Sequence, residues 1–156
     1  FFFSFYFMVI SKDTPLAEIT LRRYEKPYDM PRRELIKKLC LSIGLLQPGD
    51  SRDIVVDILY VLLEAKKEKK GLDSEEIQNL VVNLRKEHRL PQKGIAPSNI
   101  RRQIKRLRDI FLIEKVDNKY RVSEFEDLDV IFNQKIEKYF LDNILGRVRE
   151  YFSALK

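Results

Sequence analysis

The chain has 156 residues, 30 of them Lys or Arg and 24 Asp or Glu, for a formal charge of +6, and 44% are hydrophobic. That length suits one domain with extensions, and that apolar share supports a core, so wholesale disorder is excluded. A single cysteine, Cys40, excludes an internal disulfide or a multi-cysteine zinc site, and a single histidine, His88, argues against His-based hydrolytic or metal chemistry.

Taken along the chain, Phe1 to Phe7 holds six aromatic residues around Ser4 and lacks a start methionine. We read residues 1–7 as a non-native extension with Met8 as the true start; the other reading is an arm buried in an oligomer. Residues 11–30, bounded by Pro15 and Pro27, read as an extended arm. A helix is expected over about 32–43, with Pro31 in its first turn. Leu35, Ile36, Leu39, Cys40 and Ile43 form its apolar face, and Gly44 stops it. Cys40 is expected in the core. After a turn at Gln47–Asp50, Asp50 or Ser51 caps a long helix over about 52–69, with Gly71 as its C-cap. Asp73 or Ser74 opens the next helix with a capping box and runs to about Glu87. Residues 88–97, holding Pro91, Gly94 and Pro97, form a loop.

Ser98 is expected to cap a helix over 98–110, with Ile100, Ile104, Leu107 and Phe111 on one side. Two short strand-like runs follow, 112–116 and 119–122, and Asp117-Asn118 between them suits a two-residue hairpin turn. From about Asp127 to Phe152 the pattern is that of one helix of about 39 Å, longer than a small core needs. No apolar run reaches the roughly 18–20 residues of a membrane span, and with a free cysteine and no signal segment the expected location is cytoplasmic.

Charge is unevenly spread. Residues 1–84 carry 13 basic and 13 acidic side chains, residues 85–121 carry 12 and 4, and residues 122–156 carry 5 and 7. A local basic excess points to a polyanion partner, most often nucleic acid. The bland reading is a solvated, salt-bridged surface of a heat-adapted protein, and the richness in Lys, Arg, Glu and Ile without Trp hints at a thermophilic, archaeal source.

Pattern and order narrow the partner. With Ile100, Ile104, Leu107 and Phe111 turned inward, Ser98, Arg102, Lys105 and Arg106 point outward at 100° per residue. Asn99 and Gln103 then lie on one flank, Arg101 and Arg108 on the other. Arg can bond guanine twice, and Asn or Gln can do the same with adenine. Lys115, Lys119 and Arg121 put three charges on the hairpin.

The order of helix, capped helix, loop, basic helix and tight hairpin resembles the winged helix-turn-helix family over about residues 51–122. The residues that carry it are Leu72-Asp73-Ser74-Glu75-Glu76-Ile77, then Ser98 to Arg108, then Leu112 to Val122. The link before the basic helix is longer here than in the family's compact members. The resemblance implies that helix 98–110 enters the DNA major groove and hairpin 112–122 acts as the wing. Ser98, Asn99, Arg101, Arg102, Gln103, Lys105, Arg106, Lys115, Lys119 and Arg121 would contact DNA, with Asn99, Arg102, Gln103 and Arg106 reading bases.

The expected fold is mostly α with a small β-hairpin wing: an arm (1–30), an N-terminal helix and turn (31–50), a winged-helix core (51–122) and a long C-terminal helix (123–156). That last helix either covers the core or pairs with a second chain. Its length favours a homodimer through Ile136, Tyr139, Phe140, Ile144, Val148 and Tyr151. The expected function is double-stranded DNA binding by a dimeric transcriptional regulator. The rivals are a protein-interaction module of a nucleic-acid-processing assembly and RNA binding. No catalytic set, metal site or cofactor is expected.

Overall fold

The computed structural model describes residues 13–156. The expectations for residues 1–7 and Met8 lie outside the described residues. The elements are α1 (Arg32–Ser42), α2 (Ile54–Lys67), α3 (Ser74–Glu87), α4 (Pro97–Asp109), β1 (Ile113–Val116) and β2 (Lys119–Val122). A 3₁₀ turn, Ser123–Phe125, leads into α5 (Leu128–Ile131), a π-helix (Phe132–Leu141) and α6 (Asp142–Ala154), which run on end to end. The architecture is thus mostly helical with one two-stranded antiparallel hairpin.

α2 is the hub. Ile54, Val55, Val56, Ile58, Leu59, Val61 and Leu62 are all buried, so this helix is apolar nearly all round. Such a helix needs cover on every side. α1, α3, α4 and β2 supply it. Ile36 and Cys40 come in from α1, Ile77 and Val81 from α3, and Ile100, Ile104 and Leu107 from α4. Cys40 is fully buried as expected, and burial pushes its thiol up to about 12. Leu35, expected on the apolar face of α1, is instead half out in solvent.

The capping box of α3 forms as its sequence predicts. The Asp73 carboxylate accepts the Glu76 N–H at 2.8 Å, and the Glu76 carboxylate accepts the Asp73 N–H at 3.1 Å. The first of these bonds holds the Asp73 carboxyl below its ordinary range. Other caps differ from expectation. α1 has Pro31 at its N-cap, and α4 starts on Pro97 after Ala96, which leaves Ser98 in the first turn without a capping bond. α2 is preceded by Asp53, not Asp50 or Ser51, and the Asp53 side chain is engaged elsewhere.

Four helices end in the same way: the residue after the C-cap takes the left-handed conformation, and two backbone bonds close back on the last turn. At α1 this residue is Gly44; at α2, α3 and α4 it is Lys69, Arg89 and Phe111. Gly71 is therefore not the cap of α2. Phe111 is not on the helix face of α4 either; it sits beyond the helix at φ +68°.

Buried charge joins the first three helices. The Arg33 guanidinium donates to both oxygens of Asp57, at 2.8 and 3.0 Å, and to Asp53 at 3.0 Å. Arg85 donates to Asp53 at 2.9 Å, to Asp57 at 2.6 Å and to the Pro91 carbonyl at 2.7 Å. All four side chains are buried. A cluster of this kind is stable only when each charge is paired and bonded, as here. Arg85, counted above in the basic stretch, thus contributes nothing to the surface.

The hairpin turn falls at Asp117-Asn118, both at positive φ (50° and 65°), as a two-residue turn between right-twisted strands requires. Ile113 faces Val122 across it, and Lys115 faces Tyr120. Leu72, in the link between α2 and α3, adds an isolated bridge to Tyr120 through two backbone bonds of 2.8 and 2.7 Å.

The C-terminal run is not a uniform α-helix. Its middle ten residues form the π-helix, whose wider turn brings Ile131, Ile136 and Leu141 to the protein side at five-residue steps. In the same segment Tyr139 and Phe140 meet the Phe111 ring edge-on at 5.9 and 5.8 Å. Ile136 is 1% exposed, so it belongs to the core and is unavailable for pairing with a second chain.

Candidate nucleic-acid interface

α4 owes its orientation to Ile100, Ile104 and Leu107, which are buried against α2 and α3. Their spacing leaves the opposite side to solvent, where Ser98, Arg102, Lys105 and Asp109 are exposed, with Arg101 and Arg108 exposed on one flank. Lys105 is paired with Asp109 one turn on, at 3.0 Å. Arg101, Arg102 and Arg108 have no acidic partner among the described residues.

The flank is arranged differently from expectation. The Asn99 amide donates to the Gly94 carbonyl at 2.7 Å, and Gln103 donates to Asn99 Oδ1 at 3.2 Å. Arg106 donates to Gln103 Oε1 at 2.7 Å and to the Gly44 carbonyl at 3.3 Å. Asn99, Gln103 and Arg106 therefore form one chain of bonds along the side of α4, reaching the end of α1. Arg106 does not point outward as its wheel position predicts. The Gly44 carbonyl draws it sideways, and that carbonyl is there because α1 ends beside α4, which no periodicity reveals.

The hairpin meets α4 through Tyr120. The Arg108 guanidinium lies 5.9 Å and the Lys115 ammonium 5.5 Å from the centre of its ring. The Leu72 bridge holds the same residue through its backbone. So the exposed side of α4 and Lys115 share one aromatic support. Lys119 is exposed and loosely placed against Glu76 at 3.9 Å. Arg121 differs: it bonds Glu114 at 2.6 Å and lies 4.7 Å from the Phe125 ring centre. Its charge is internally balanced.

Two cations outside the predicted set approach this region. Arg52, before α2, and Lys93, in the 88–96 loop, share a cleft with Arg102 and Arg106. The loop is fixed by Gln78 to the Ile95 carbonyl (2.8 Å), by Gln92 to the Val82 carbonyl (3.1 Å) and by Arg85 to Pro91. The charge count could not single out Arg52, which sits in the neutral part of the sequence. Only the packing of α1 and α2 beside α4 brings it here.

Among the expected pairing residues, Tyr139, Val148 and Tyr151 are exposed, while Phe140 and Ile144 are half-buried. α6 buries no residue at all. Phe152 and Leu155, at 75% and 86% exposed, extend the apolar side to the end of the helix.

These features define a small helix-and-hairpin protein with a basic helix displayed beside the hairpin. No known protein family matches the chain, and neither does any curated protein or any solved structure. No helix of the described residues is long and apolar enough to cross a membrane.

Proposed function

We propose that this protein binds double-stranded DNA as a winged helix, with α4 in the major groove and the β1–β2 hairpin alongside. The observation that carries the reading is the exposed side and flank of α4, where Arg101, Arg102 and Arg108 have no acidic partner among the described residues, while most of the other described arginines are paired or hydrogen-bonded. The sequence of α2, a bridging residue, α3, α4 and a hairpin supports the winged-helix assignment. Phosphate contacts would supply salt-dependent affinity, and the arginines of α4 would reach base edges. Asn99, Gln103 and Arg106 hold the flank in place, so Arg101, Arg102 and Arg108 carry the larger share of the contacts. Ser98 and Lys105 lie on the same side, and Lys115 and Lys119 extend it onto the hairpin. The role is that of a cytoplasmic transcriptional regulator, a binder and not a catalyst.

A homodimer through α6 completes the proposal. Val148, Tyr151, Phe152 and Leu155 present an exposed apolar side along α6 and just beyond it, and a second copy would cover it and set two α4 helices on neighbouring half-sites.

The test is a mobility-shift series over salt with Arg101→Ala/Arg102→Ala. Affinity for mixed-sequence duplex should fall, and the salt slope should drop by about 2, one per charge removed. Wild-type protein that shows no duplex binding, or only a flat salt response, would refute the reading and favour a protein-interaction module. Preference for structured RNA in competition would move the assignment to RNA. Light scattering should give twice the chain mass, and Tyr151→Glu/Phe152→Glu should halve it.

A further inference from the structure

The cleft beside α4 adjoins its outward side and shares Arg102 with it. It holds about 490 Å³ between the first turns of α4, the loop before it and the connection from α1 to α2. Buried Leu45 and Ile54 line it, and Arg52, Lys93, Arg102 and Arg106 enter it from three separate parts of the chain. One carboxylate, Asp50, faces these four cations, and it already accepts the Arg52 backbone N–H at 2.9 Å.

We infer that this cleft binds a phosphate group, carried either by a nucleic-acid backbone or by a free polyphosphate. Four converging cations with one acid repel one another, and the buried Leu45 and Ile54 beneath them leave that repulsion less screened than open solvent would. An anion relieves it. Arg52, Lys93 and Arg102 have no acidic partner among the described residues, so their donors are free for the anion. Arg106 is held from behind by Gln103 and Gly44. A guanidinium fixed in advance loses less freedom on binding, and its planar fork matches phosphate oxygens. The cleft is larger than one phosphate ion and falls within the usual range for small-molecule sites. Gly94 keeps it in shape. At φ +80°, a Cβ there would lie 3.0 Å from the Asn99 amide and 3.1 Å from Ile54.

For the backbone source this inference rests on the DNA reading above; for a free polyphosphate it stands alone. The test variant is Arg52→Gln/Lys93→Gln, because neither side chain bonds elsewhere among the described residues and neither lies on the outward side of α4. Lys138→Gln, on the π-helix, is the control, and Arg52→Lys/Lys93→Arg should restore binding. Two measurements are made: calorimetric titration with inorganic tripolyphosphate, and duplex binding by fluorescence anisotropy from about 50 to 200 mM salt.

A free-polyphosphate site predicts wild-type tripolyphosphate binding that weakens about tenfold or more in the double Gln variant. A backbone site predicts a duplex salt slope lower by about 2 in that variant. Loss of tripolyphosphate binding in the variant, in a protein that never binds duplex, supports the cleft and overturns the DNA reading. Wild-type duplex binding with an unchanged slope in the variant, and no tripolyphosphate effect, overturns the cleft and leaves the DNA reading intact. Absence of binding to both probes overturns both.

Discussion

Asp57→Asn is the sharpest test of what holds the helices together. Asp57 accepts three of the five hydrogen bonds between the buried arginines and aspartates. The amide has nearly the same shape, so no cavity opens. What changes is charge and hydrogen bonding: two guanidinium groups then face one carboxylate, and an acceptor oxygen becomes an NH₂ group set against N–H donors. Removing one partner of a buried pair costs about 3–5 kcal/mol, a large part of a typical total of about 5–15 kcal/mol. For a chain of this size that lowers Tm by roughly 6–20 °C. Urea unfolding followed by circular dichroism should show the midpoint falling at unchanged slope. Glu64→Gln is the control, since its pairs with Arg32 and Lys67 are exposed and worth less than about 1 kcal/mol. If the two variants lose the same stability, the cluster is not the tie we describe. Asp53 adds a pH dependence. Burial pushes its carboxyl up, but hydrogen bonds from Arg33 and Arg85 outweigh that and hold it below its ordinary value. Its contribution is therefore present above the unfolded pKa of about 4 and is lost as pH falls through the lower folded value. Wild-type stability should decline below about pH 4.

Three further outcomes follow from the helix ends and the core. Lys69→Gly and Arg89→Gly should each stabilise the protein by about 0.5–1 kcal/mol, because both residues occupy the left-handed conformation; Phe111→Gly, at a similar φ, should destabilise it in the same denaturation assay by removing the contacts with Tyr139 and Phe140. Gly44→Ala should cost about 1–3 kcal/mol and expose the arm to limited proteolysis, since the added Cβ would lie 2.6 Å from Thr20 Cβ at φ +77°. Cys40, buried and with its thiol pushed up to about 12, should react with a disulfide reagent at mildly alkaline pH only as fast as the fold opens; rapid labelling of native protein would contradict its placement.

Much of the fold follows from local chemistry. Three- and four-residue apolar spacing located the four helices within a few residues. The Asp73 capping box and the Asp117-Asn118 turn formed as read, because each depends on neighbours in the chain. Cys40 fell in the core for the same reason. Helix ends were less legible: glycine is the usual signal, but Lys69, Arg89 and Phe111 adopt the same backbone, each held by the same pair of closing backbone bonds.

The charge count marked one basic stretch, and the exposed arginines of α4 do lie there. Tertiary structure then divided that stretch. Arg85 went inward to meet two aspartates that share no local pattern with it. Arg121 was taken by Glu114 across the hairpin, and Arg106 by the end of α1. Arg52, from a neutral part of the chain, was brought in. Ile136, apolar on a helix that promised a pairing face, was claimed by the core, where the wider π-helix turn sets it in line with Ile131. The sequence by itself determined where the cations are concentrated and which segments are helical, since both are properties of near neighbours. Which cations remain free depends on partners tens of residues away, and only packing supplies those.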